Sequence, residues 1–204
     1  FAQQVRARGA DATDPLILRA ACYPSTQGLP YHPIAESLRP LIGQTPAAGE
    51  LAHLLPALAR GGATLSAEVS SFDARSRMWH ALAELLEVHA RRQPLLWIID
   101  DAHWCDPDTL QLLPYLARRL DAAPVALLLT IRSEESGATL PMLSELERLP
   151  RHRALHLAPL RPEDVRDMVR RVFGPTQDGA QLAERLHLES EGNALYCVEL
   201  LRGV

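Results

Sequence analysis

The sequence predicts an α/β fold, a parallel sheet flanked by helices and followed by an all-helical subdomain. Three observations carry this. Leu95–Ile99 and Val125–Ile131 are uninterrupted apolar runs, the pattern of strands buried on both faces. Segments whose apolar residues recur at helical spacing alternate with such runs. After Pro159 the pattern changes to helices alone, which places the boundary between residues 158 and 159.

Taken in order, Phe1–Arg8 reads as the end of a helix stopped near Gly9, and Leu16–Cys22 as a short strand. Tyr31–Ile42 and Glu50–Arg60 read as helices parted by QTPAAG, and Gly61–Ser71 as a polar linker. From Asp73 to Arg92, Met78, Leu82, Leu85, Leu86 and His89 share one helical face. Asp106 is placed to cap a helix, with Pro107 in its first turn where the missing N–H costs nothing. That helix runs to about Leu120, with Pro114 expected to kink it. Leu140–Leu149 reads as helix and Ala154–Leu157 as a further buried strand. Pro162–Phe173, Gln181–Leu188 and Ala194–Arg202 complete the helical part, with Gly174 and Gly192 as breaks.

Composition narrows the function classes. The 204 residues are 47% hydrophobic and 23% charged, enough apolar material for a core. A net charge of −4 creates no field that recruits nucleic acid or a membrane surface. No apolar run approaches the roughly 18 residues of a membrane span, and the polar amino terminus does not resemble a signal peptide. Cys22, Cys105 and Cys197 are widely separated, so neither a disulfide framework nor a zinc site is expected, and a reducing compartment fits. His152 and His156 are read as surface or satisfied polar residues. All 21 basic residues are arginine. A phosphate-binding loop of the form GxxxxGK[ST] therefore has no lysine to use.

The chemistry concentrates in Pro94–Arg119, PLLWIIDDAHWCDPDTLQLLPYLARR. Asp100 and Asp101 follow a buried strand, where parallel α/β sheets bind ligands. One carboxylate there can hold magnesium through its waters, and its neighbour can position or deprotonate an attacking water. An Asp-Asp pair alone more often solvates a loop or caps a helix. The apolar run before this pair and the capped helix after it favour the functional reading. A phosphoacceptor receiver domain is excluded, since it carries its acid pair on the first strand and needs a late lysine.

Thr130 and Arg132, in ALLLTIR, end the next buried strand and are positioned to contact a γ-phosphate. Alone, Arg132 reads as a surface ion-pair partner; beside the acids it reads as functional. His103 either shapes the turn after the acids and senses the phosphate end, or hydrogen-bonds the loop. Trp104 reads as packing. Gly192 and Asn193, in GNALY, are well suited to end one helix and cap the next.

Together these segments resemble the STAND branch of the AAA+ superfamily. More closely, they resemble the ATPase module of large bacterial LuxR-type transcriptional regulators and of some adenylate-cyclase-linked proteins. The likeness covers nearly the whole chain. CYPSTQGLPYHPIAESLRPLI resembles the family's second strand and following helix, LLWIIDDAHWCDPDTLQLLPYLARR its Walker B segment and LLLTIR its strand-end TxR motif. LAPLRPEDV resembles the start of the lid and EGNALYCVELLR the family's GNPLF-type segment, with Ala194 where a proline is usual.

The resemblance implies a P-loop NTPase-like sheet that is incomplete, lacking strand 1 and the Walker A loop. Residues 1–158 would be the nucleotide-binding domain and 159–204 the start of a helical lid. It implies ATP or ADP with Mg²⁺, Asp100 on the metal, Asp101 activating water and Arg132 sensing phosphate. Thr130, His103, Gly192 and Asn193 would lie against the nucleotide. The implied role is a slow, cytoplasmic ATPase switch, present as a fragment, that drives an output domain, a DNA-binding helix-turn-helix outside this segment, with self-association on activation. The alternatives are a non-catalytic AAA-like interaction module and an ATPase module that regulates a cyclase. By the same likeness the sheet order is 5-1-4-3-2, so the chain alone is expected to bind ATP poorly and to leave an unfilled place beside Val125–Ile131.

Overall fold

A computed structural model describes residues 14–42, 51, 72–175 and 177–203. The helices expected at Phe1–Arg8 and, apart from Leu51, at Glu50–Arg60, and the linker expected at Gly61–Ser71, lie outside the described residues. The chain divides into two compact units, Phe1–Arg153 and Ala154–Val204; the sequence boundary was placed a few residues later.

The first unit is built on a three-stranded parallel sheet of β1 (Leu16–Ala21), β2 (Leu95–Asp100) and β3 (Val125–Leu129), in the order β1-β2-β3. That is the order implied for strands 2, 3 and 4. The register aligns Ala21 with Asp100 and Ile99 with Leu129, so the three strands end together. Three helices supply the core: α1 (His32–Ile42), α2 (Phe72–Ala90) and α3 (Pro107–Arg119). A shorter helix, α4 (Leu140–Leu146), follows β3 and stops before the Leu149 expected.

Side chains alternate across a strand, and one face of the sheet holds Leu18, Leu95, Trp97 and Ile99. These join Leu38 of α1, Leu85 and Leu86 of α2 and Leu112 and Leu113 of α3 in one core, all nearly solvent-free. The buried Trp97 indole donates to Ser37 Oγ at 3.0 Å, so its polar atom carries no desolvation penalty. The opposite face presents Arg19 and Asp100 toward the strand ends. β3 departs from the expected burial on both faces: Ala126 is exposed and the rest half-buried. An edge position explains this, because among the described residues β3 has a strand neighbour on one side only. The place beside β3 is thus without a described partner.

α3 starts as the sequence requires. Asp106 accepts the Thr109 N–H at 2.9 Å and the Thr109 hydroxyl at 2.6 Å, and Pro107 opens the helix. The helix continues through buried Pro114.

The second unit holds α5 (Pro162–Phe173), α6 (Gln177–Ser190) and α7 (Ala194–Arg202) around Val165, Val169, Ala183, Leu186 and Cys197. α6 extends beyond the expected Gln181–Leu188 at both ends. Asp164 receives the Arg161 backbone N–H and guanidinium at 3.0 Å, which fixes the start of α5 and holds this carboxyl below the usual aspartate range. The strand expected at Ala154–Leu157 does not form. A parallel strand requires a hydrogen-bonded neighbour, none of the described strands pairs with this segment, and Leu155 and Leu157 are 81% and 96% exposed.

Candidate functional site at the carboxyl ends of β2 and β3

Asp100 is the last residue of β2, and Asp101 turns the chain away from the sheet at φ 55°, ψ 46°. This left-handed conformation is strained for most L-residues but accessible to aspartate. Thr130 holds it there. Thr130 Oγ1 accepts the Asp101 N–H at 2.9 Å, and the Thr130 carbonyl accepts the Ala102 N–H at 2.8 Å. Thr130 is itself fixed by its N–H to the Ile99 carbonyl at 3.1 Å. A 3-10 turn, Ala102–Trp104, then leads into α3.

The side chains converge from three elements. Thr130 Oγ1 donates to Asp100 Oδ1 at 3.2 Å, and Arg19 Nη2 of β1 lies 3.6 Å from Asp100 Oδ2. Arg132 Nε is 4.0 Å from Asp101 Oδ1, while its Nη1 contacts Glu135 Oε1 at 3.4 Å. Both acids remain open to solvent, Asp100 with 38% and Asp101 with 47% of the side chain accessible. Neither acid is therefore closed into a buried ion pair.

His103 sits beneath this cluster with its side chain fully buried. Its Nδ1 accepts the Arg132 N–H at 3.4 Å, which assigns the remaining proton of the neutral ring to Nε2. Nε2 is solvent-free and makes no hydrogen bond; its nearest acceptors are Glu135 Oε2 at 3.6 Å and Asp101 Oδ1 at 4.0 Å. The ring leans on Trp104, with centroids 5.2 Å apart. His103 thus fixes the Arg132 backbone on one side and leaves a buried, unpartnered Nε2 facing the Asp101 and Glu135 carboxylates.

The structure brings Asp100, Asp101, His103, Thr130 and Arg132 together. Gly192 and Asn193 lie in the second unit, where Asn193 caps α7 and Gly192 meets the Leu160 backbone. Asn193 Oδ1 accepts the Tyr196 N–H at 3.1 Å, and the Gly192 carbonyl accepts the Leu160 N–H at 2.8 Å. Sequence reasoning missed Arg19 and Glu135. Arg19 is an arginine inside an otherwise apolar strand, two positions before its last residue, which is a detectable signal. Glu135 follows Arg132 at a three-residue interval, a spacing that brings side chains together in a helical turn.

Among the described residues, no group of three or more His, Cys, Asp or Glu side chains is arranged to hold a metal by itself. Magnesium takes one or two carboxylates and completes its shell with water and phosphate oxygens. Asp100, solvent-accessible and steadied by the Thr130 hydroxyl, fits that requirement.

A family model described as AAA ATPase domain matches residues 2–130. The chain belongs to this AAA ATPase domain family. No curated protein and no solved structure matches it. Within this AAA ATPase domain the match contains Asp100, Asp101 and Thr130, and it ends just before Arg132. No helix among the described residues is long and apolar enough to cross a membrane.

Proposed function

We propose that this AAA ATPase domain is the ATP-binding and ATP-hydrolysing switch of a larger signal-transducing regulator. The observation that carries the reading is the pair of solvent-facing acids at the end of β2, bridged through Thr130 to the end of β3. Asp100 would take the magnesium that accompanies ATP. Asp101, held in its left-handed turn beside Arg132, would position and deprotonate water. Arg132 would distinguish ATP from ADP through the terminal phosphate. The family likeness points to a bacterial LuxR-type transcriptional regulator as the parent, with a helix-turn-helix output domain, or to a cyclase-linked protein. Hydrolysis in such a switch resets a conformation and is slow.

A second reading is favoured by one specific observation. The chain has no lysine, so the phosphate-loop lysine has to come from sequence outside these residues. A protein without one would keep the fold as an interaction module and lose the chemistry. Phosphate release and equilibrium binding of Mg²⁺–ATP, measured on the intact protein and its D101N variant, separate the two. The switch reading expects binding in both and a rate loss of ~10²–10⁴ in D101N. Wild-type turnover in D101N overturns the role of Asp101, and no binding by the intact protein leaves the interaction module.

A further inference from the structure

Cys22 and Cys105 are 83 positions apart in sequence, yet their Sγ atoms lie 3.2 Å apart in the fold. Both are free thiols and almost solvent-free, 3% and 1% exposed. Neither loop depends on this contact for its position. Cys22 follows β1 and gives its N–H to the Asp100 carbonyl at 2.9 Å. Cys105 ends the 3-10 turn below the acids, gives its N–H to the Ala102 carbonyl at 3.1 Å, and precedes the capping Asp106. The two sulfurs are therefore held against each other by backbone that the sheet and α3 fix independently. Cys197 belongs to the other unit and donates to Ser190 Oγ at 3.0 Å, which makes it an internal control.

We propose that Cys22 and Cys105 form a reactive dithiol that a small-molecule disulfide, such as oxidised glutathione, converts to an intramolecular disulfide. In the first step the Cys22 sulfur attacks one sulfur of the reagent, and its proton passes to the departing small thiolate. The reagent's S–S bond breaks, a mixed disulfide forms at Cys22, and one small thiol leaves. In the second step the Cys105 thiol loses its proton and attacks the Cys22 sulfur. The protein disulfide forms and the second small thiol departs. Two electrons pass from the two protein thiols to the reagent.

Two features favour closure. A covalent S–S bond is about 2.05 Å long, so the sulfurs need approach by only about 1 Å from their 3.2 Å contact. The contact with Cys22, and after it burial, pushes the Cys105 thiol far up. First attack is placed at Cys22, which adjoins the exposed Tyr23. Once Cys22 is in the mixed disulfide, its thiol no longer holds the Cys105 proton, and the largest cause of the upward shift is gone. The bond would tie the end of β1 to the turn that carries Asp101 and His103.

The test equilibrates the full chain in glutathione buffers of increasing oxidised fraction, followed by acid quenching, alkylation and peptide mapping. The expected result is loss of two of the three thiols, a linked Cys22–Cys105 peptide, one common midpoint for both residues, and a C197S variant that behaves like wild type. C22S and C105S should give no linked peptide. Cys22 and Cys105 remaining free, or carrying separate glutathione adducts, over the range in which Cys197 is modified would overturn the proposal. So would linkage through Cys197 or between chains. The readout counts thiols and needs no nucleotide, so it stands or falls apart from the ATPase reading.

Discussion

The Thr130 hydroxyl joins the two acids of the site: it accepts the Asp101 N–H at 2.9 Å and donates to Asp100 Oδ1 at 3.2 Å. One side chain thereby fixes a left-handed turn and orients a carboxylate. Neither task tolerates its removal, because the Asp101 N–H has no other described acceptor and the turn is conformationally costly.

Thr130→Val keeps the shape of the side chain and removes both hydrogen bonds. The expected cost is about 0.5–1.5 kcal/mol, the net worth of hydrogen bonds that water can reach, with Thr130→Ser recovering most of it. Urea melts of the three proteins measure this. A valine variant as stable as wild type would show that the turn holds itself without the hydroxyl.

Arg132→Ala is expected to change stability by less than about 1 kcal/mol, because its partners Asp101 and Glu135 are solvent-accessible and exposed pairs contribute little. Its effect should appear in ligand response. In the intact protein, protease-sensitivity patterns with ATP and with ADP should become alike. A variant that still separates the two nucleotides assigns phosphate sensing elsewhere.

Much of this site was legible in the sequence, because parallel neighbouring strands bring their carboxyl ends together whatever the loops do. That is how Asp100, Asp101, Thr130 and Arg132 could be grouped from two apolar runs. Register was not legible. It is register that brings Arg19 to Asp100 and sets Cys22 opposite the turn leading to Cys105, and no local pattern encodes it. Ala154–Leu157 shows the converse. Its composition suits a strand, but a strand exists only where a neighbour accepts its hydrogen bonds. His103 was legible as a residue of the turn, while its burial depended on the turn's handedness, set by Asp101.

The Tyr31 hydroxyl accepts the Trp79 Nε1–H at 3.2 Å between α1 and α2, and burial pushes the phenol from 10.0 up to about 12. A raised folded value means that the native state holds this proton more tightly. The contribution is therefore complete below about pH 10 and is lost as the pH rises toward about 12. Tyr31→Phe should cost about 1 kcal/mol at neutral pH and should lose less stability on alkaline titration than wild type. Parallel alkaline slopes in urea melts of the two proteins would remove Tyr31 as the cause.

Gly192 is required by space as well as by backbone angle. It sits at φ 76°, and a Cβ there would lie 2.4 Å from the Leu160 carbonyl oxygen and 3.0 Å from the Leu160 nitrogen. These are backbone atoms, held in place by the Leu160 N–H donating to the Gly192 carbonyl at 2.8 Å, so they cannot rotate aside. Gly174 supplies the comparison. It has a similar φ of 81° with nothing within 4 Å of the added carbon. Gly174→Ala should thus show a conformational cost alone, about 1–3 kcal/mol, because φ 81° with ψ 176° is a region essentially confined to glycine. Gly192→Ala should add the clash and the loss of the Leu160 bond, for a total of at least about 3 kcal/mol. Amide exchange in α5 and α7 reads the difference locally and does not depend on the stability of the sheet unit. Equal protection in the two variants would show that Leu160 moves freely and that Gly192 is there for its backbone angle only.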